Sequence, residues 1–211
     1  MRVFRKLSLS KLPEFPQQQD KLAIVERTPL PAAEVFFEKL LQITFTVRGQ
    51  VFKESSADDI ADLLQRAIPN ALQSDPFYRL WVADMAHVCQ HFCAMAGEAS
   101  IGFCVGTQRD CRRYHKDNVP MRLLVTYAGQ GTEWLPDEAV DHRAYASGMS
   151  NEDILIDPAA RQFMRPWDIA VFRGGPEGLL HRTPDTALND PSILMRLDHE
   201  DFWHNVMASR S

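Results

Sequence analysis

Between residues 76 and 96, apolar side chains return every three or four positions, with Trp81, Met85, Val88, Phe92 and Met95 on one stripe. The pattern predicts a long helix from Asp75-Pro76 to about Ala96, with proline at its first position and Gly97 as its stop. Pro31 to Leu41 has the same spacing and predicts a shorter helix. Ser55 and Ser56, ahead of Asp58 and Asp59, predict another that ends near Ile68, before Pro69. Ile43 to Val51 alternates loosely, as a strand or an extended link would. Residues 1–30 have no clean period and read as an extended arm packed on the body. Residues 1–97 are therefore expected to be mainly helical.

Beyond Gly97 the period shortens to two, the spacing of a strand with distinct faces. Ala99–Thr107, Met121–Tyr127, Thr132–Leu135, Trp167–Gly174, Gly178–Thr183 and Ser192–Leu197 read as strands. Residues 136–166, rich in Asp and Pro, read as a long excursion with one short helix near 158–163. Short strands joined by Gly/Pro turns predict an antiparallel sandwich or barrel over residues 98–211, forming one compact unit with the helices.

Composition adds bounds. A chain of 211 residues with 45% hydrophobic and 24% charged residues is globular rather than disordered. A net charge of −5 gives no general electrostatic footing for nucleic acid or a membrane surface, so neither is expected as a partner. No apolar run reaches the roughly 18 residues of a membrane span. The basic N-terminus lacks the apolar centre of a secretory signal. Cys89, Cys93, Cys104 and Cys111 then read as reduced thiols, and the cytoplasm is the expected location.

The candidate chemistry lies between two strands. His115 and Asp117 are two residues apart just before Met121–Tyr127, so an imidazole and a carboxylate can point to one side. His181, at the end of an apolar strand, is the candidate third ligand. Two His and one carboxylate with open positions suit a mononuclear non-haem Fe(II) site, although Zn or another divalent ion can use such ligands. The plainer reading is a chance His-x-Asp and a hydrogen-bonded strand-end His. Leu194, Arg196 and Asp198 share a strand face, and a guanidinium there needs an acid: a ligand's carboxylate, or an internal partner such as Asp168 or Asp198. His87-Val-Cys89-Gln-His91-Phe-Cys93 resembles a metal cluster only as text, because about 100° per helical residue separates the His pair from the Cys pair. Cys111 reads as a small buried residue before a ligand or redox thiol. Arg112, Arg113 and Lys116 form a basic cluster that is either solvated or attractive to an anionic substrate. His142, His199 and His204 sit among acids and have little claim as ligands.

Arg113 to Pro136, with Gly178-Leu-Leu-His-Arg-Thr-Pro184 and Leu194-Met-Arg-Leu-Asp198, resembles the bacterial family known as domain of unknown function 1826. At a wider remove the layout is similar to that of Fe(II)/2-oxoglutarate dioxygenases. That resemblance implies an α+β fold in which a helical N-terminal layer packs on a jelly-roll-like double-stranded β-helix. It also implies His115, Asp117 and His181 as metal ligands, Arg196 as the anchor of 2-oxoglutarate, and Tyr127 as a residue that helps hold it. The expected function is thus a 2-oxoglutarate-dependent Fe(II) oxygenase acting on an unknown substrate, small molecule or protein. The alternatives are a non-enzymatic metal-homeostasis protein and a degenerate interaction scaffold on the same fold.

Overall fold

Strands from both halves of the chain build one large sheet with two different faces. In the computed structural model, which describes residues 3–6 and 8–200, the strands are β1 (Phe4–Lys6), β2 (Leu22–Val25), β3 (Thr46–Phe52), β4 (Ser100–Gly106), β5 (Met121–Ala128), β6 (Glu133–Trp134), β7 (Gln162–Phe163), β8 (Ile169–Arg173), β9 (His181–Arg182) and β10 (Ile193–His199). Seven of them form a sheet in the order β1-β2-β8-β5-β10-β4-β3, and the other three form a small sheet in the order β7-β6-β9. The β1–β2 pair is parallel and the other pairs are antiparallel.

The helices are α1 (Ala33–Leu40), α2 (Ser56–Leu64), the short α3 (Asn70–Gln73) and α4 (Pro76–Ala96). Asp75 caps α4 by accepting from the Phe77 amide, and Gly97 closes it in a left-handed conformation at φ 73°. Trp81, Met85, Val88 and Phe92 are each 0% exposed. They share one core with alternate residues of the large sheet, among them Phe103, Leu123, Val125, Val171 and Met195. Each such side chain contributes about 1.5–3 kcal/mol by leaving water. The opposite face is different: Leu22, Ile24, Leu124, Ala170 and Phe172 join Trp134, Met164 and Leu179 in a smaller core. The remaining part of that face, on β3, β4, β5 and β10, lines a cavity.

Two stretches depart from the sequence expectation. The segment read as an arm contributes β2, which lies inside the sheet between β1 and β8. Its residues Leu22–Val25 are covered on both faces, Ala23 and Val25 in one core and Leu22 and Ile24 in the other, so no alternation marks them as a strand. The described residues up to 97 thus supply three strands and a 3-10 helix (Leu9–Gln17) as well as four α-helices. The helix expected near 158–163 is a single 3-10 turn at Pro158–Ala160 followed by β7. No helix among the described residues is long and apolar enough to cross a membrane.

Candidate metal centre

His115 lies ahead of β5 and forms an isolated antiparallel bridge with His181, the first residue of β9. Backbone pairing therefore sets the two imidazoles side by side, with ring centroids 4.5 Å apart. Asp117 follows two residues later. The Gly174-Gly175 turn after β8 holds its peptide, the Gly175 amide donating to the Asp117 carbonyl at 2.7 Å. A Cβ on Gly174 would sit 2.0 Å from the Val119 carbonyl oxygen and 2.6 Å from that of Asp117, so only glycine allows this approach.

The three side chains present one ligand atom each, all within 4.8 Å of one another. His115 Nε2 is 3.8 Å from Asp117 Oδ1, and His181 Nε2 is 3.4 Å from Asp117 Oδ2. Both rings use Nδ1 on the backbone, His115 with the Arg113 carbonyl at 2.9 Å and His181 with the Leu179 carbonyl at 3.0 Å. A carbonyl can only accept, so each Nδ1 carries the proton, and in the neutral rings each Nε2 keeps a lone pair on the side of Asp117. That is the tautomer a metal requires, fixed by outer hydrogen bonds. Asp117 Oδ2 is buried without a hydrogen-bond partner. Burial lowers the His181 pKa to about 4, which keeps it neutral near pH 7. At His115 burial acts downward, but contact with Cys111 and the Arg113 carbonyl leaves the pKa raised.

Sequence reasoning missed Arg122. It donates through Nη1 to Asp117 Oδ1 and through Nε to Asp198 Oδ1, the latter at 2.6 Å. Asp117 is thereby held on Oδ1, the oxygen nearer His115, while Oδ2 faces His181. Arg196 is on the same face of the neighbouring strand, with Nε 2.9 Å from Asp198 Oδ2. Of the internal acids considered for it, Asp198 is the one present. Asp168 is engaged by Arg165 and by the Arg27 amide.

A cavity of about 520 Å³ opens beside the cluster, lined by His115, His181, Arg122, Leu124, Leu194 and Arg196 among others. Tyr127 is not part of it, which corrects the expectation that it helps hold a cosubstrate. Arg122 and Leu124 face the cavity from β5, so Tyr127 has the opposite parity and points to the helices. Its hydroxyl donates to Asp84 Oδ2 on α4 at 2.8 Å, and its ring packs on Phe37, Trp81 and Trp167.

The remaining candidates lie elsewhere. His87 and His91 meet at 4.6 Å between ring centroids on the outer side of α4, while Cys89 and Cys93 are buried. His199 pairs with Glu98, and His142 begins an exposed helical turn. His204 is outside the described residues. Cys111 is exposed rather than buried, beside His115, which lowers its pKa through a hydrogen bond. Of the nearby basic residues, Arg113 donates to the Gly148 and Met149 carbonyls and Lys116 to that of Pro176.

The family model described as "Protein of unknown function (DUF1826)" matches residues 8–198. A search of curated proteins finds no match. Among solved structures, the chain is similar to AviO1 from Streptomyces viridochromogenes Tue57, at 12% identity and TM-score 0.42 over 92% of this chain and 96% of that one. It is similar to TqaL, an Fe(II)/α-ketoglutarate-dependent dioxygenase, at 10% identity and TM-score 0.46 over 90% and 86%. A 2OG-Fe(II) oxygenase-family oxidoreductase from Burkholderia pseudomallei gives 9% identity and TM-score 0.39 over 94% and 95%. These are distant likenesses, and the chemistry has to be read from the side chains.

Proposed function

We propose that this chain, which belongs to the DUF1826 family of proteins of unknown function, is a mononuclear non-haem Fe(II) oxygenase that uses 2-oxoglutarate. The observation that carries the reading is Asp117 Oδ2, a buried oxygen with no hydrogen-bond partner that lies 3.4 Å from His181 Nε2, with His115 Nε2 3.8 Å from Oδ1 of the same carboxylate. A buried carboxylate oxygen in that state is costly, and a divalent cation satisfies it. His115, Asp117 and His181 would hold the ion. Three protein ligands leave open positions, the arrangement of the Fe(II) oxygenases.

The strand order supports a jelly-roll-like double-stranded β-helix under a helical layer. From residue 100 onward the chain visits the large sheet (β4), the His115 bridge beside β9, the large sheet (β5), the small sheet (β6, β7), the large sheet (β8), the small sheet (β9) and the large sheet again (β10). That winding brings the segment before β5, the start of β9 and the face of β10 to one cavity.

Iron bound there would supply the activation of oxygen, with 2-oxoglutarate as the electron donor. The protein's part is positional. Carbonyl bonds from Arg113 and Leu179 fix both imidazole tautomers, and Arg122 fixes the carboxylate. Leu124 and Leu194 give the cavity an apolar wall that limits water. Arg196, ion-paired with Asp198, is the anchor for 2-oxoglutarate.

The test is succinate production. Protein loaded anaerobically with Fe(II) and then given 2-oxoglutarate and oxygen is expected to form succinate slowly, and Asp117→Asn is expected to form none. Iron uptake without any 2-oxoglutarate turnover would leave metal handling as the function.

A further inference from the structure

Arginine outnumbers acid in the cavity wall, and the charge balance singles out one residue. Arg122 is matched by Asp117 and Asp198, Arg196 by Asp198, and Arg182 by Glu133 and Asp185. Arg109 lines the same cavity yet forms no ion pair with any described residue. It is also deeply placed, at 9% exposure. Its Nη1 donates to the Gln130 carbonyl and its Nη2 to the Thr132 hydroxyl, both at 2.8 Å, and both acceptors are neutral. Its Nε is buried without a hydrogen-bond partner. Burial lowers its pKa to about 10, with Cys111 acting less strongly the other way. A buried guanidinium lacking a counter-ion is unfavourable, and carboxylate or phosphate is the group that fits its fork.

We propose that Arg109 anchors an acid group, carboxylate or phosphate, on a ligand that enters the cavity beside His115 and His181. Thr132, whose hydroxyl accepts from Arg109, and Thr183 also line the cavity. Arg48 lines the mouth from β3, exposed, and adds positive potential on the way in. The ligand is then an anion, and the acid group is either a carboxylate of 2-oxoglutarate or one carried by the substrate itself. The seat is set by charge balance and does not depend on which metal, if any, the neighbouring cluster holds.

The competing role is purely structural, with Arg109 only fastening the turn at Gln130–Thr132. Calorimetric titration of chelator-treated, metal-free protein separates the two, with 2-oxoglutarate and inorganic phosphate as probes. Wild type is expected to bind at least one of them saturably. Arg109→Met is expected to weaken that binding at least tenfold, Arg109→Lys to restore part of it, and Arg79→Met, on the exposed side of α4, to change nothing. Loss confined to 2-oxoglutarate assigns the seat to the cosubstrate, and loss of phosphate binding assigns it to an acid group of the substrate. Circular dichroism of each variant checks the fold, and Arg109→Lys keeps the test valid if Arg109→Met does not fold. No binding of either anion by wild type overturns the proposal. So does a loss seen in Arg196→Met but not in the Arg109 variants. Because metal is absent throughout, these outcomes are independent of the success or failure of the iron reading.

Discussion

His115 and His181 exchange both backbone hydrogen bonds, each amide donating to the other's carbonyl at 3.1 Å. Residues far apart in sequence are thus locked in register by main chain, and their side chains are left for other work. His181→Gln should therefore keep the fold, judged by circular dichroism and a single cooperative urea transition. The metal-free wild type has a further signature. The folded-state pKa of His181 is depressed to about 4, against about 6.5 in an unfolded chain. Between those values the unfolded state binds the proton and the folded state does not, so stability falls as pH drops through that window. His181→Gln should flatten this part of the urea-midpoint profile.

Arg122 ties the metal-site carboxylate to the next strand. It bridges Asp117 and Asp198, whose side chains are 1% and 0% exposed. Arg122→Met leaves both carboxylates buried without it and should cost about 3–5 kcal/mol in urea unfolding. A change below ~1 kcal/mol would show that the bridge does not hold the site together.

Tyr127→Phe tests which side of the sheet that residue serves. Losing the hydroxyl bond to Asp84 should cost about 0.5–1.5 kcal/mol. Affinity for metal and for 2-oxoglutarate should be unchanged, because the residue points to α4 and not to the cavity. A selective loss of 2-oxoglutarate affinity would reinstate it as a cosubstrate residue.

Phe92→Ala addresses the helical side. The ring is 0% exposed in the main core, and its removal should cost about 3–5 kcal/mol. An unchanged urea midpoint would mean that α4 does not pack on the sheet through this stripe.

What could be read in advance followed from how each feature is encoded. The α4 helix is written locally, in a 3.6-residue stripe, Asp75 and Gly97, and its ends came out correctly. The His115, Asp117 and His181 cluster was legible because an i, i+2 pair and a strand-end His are visible in sequence. Tyr127 was misplaced because the register that pairs Arg196 with Leu124, and so turns Tyr127 to the other face, is set only by the fold. Arg122 left a signal that was passed over: an arginine inside an apolar strand run is buried and needs an acid. Arg109 left none, since its burial is made by the turn at Gln130–Thr132, which is brought to it only by the fold. β2 was lost because a strand covered on both faces does not alternate.

The central claim is that His115, Asp117 and His181 bind one metal ion, and anaerobic titration of metal-free protein with Fe(II) tests it directly. Wild type should bind one equivalent, while His181→Gln and Asp117→Asn, still folded, should each bind at least tenfold more weakly. Absence of stoichiometric binding in wild type, or binding by both variants as tight as that of wild type, would contradict the account.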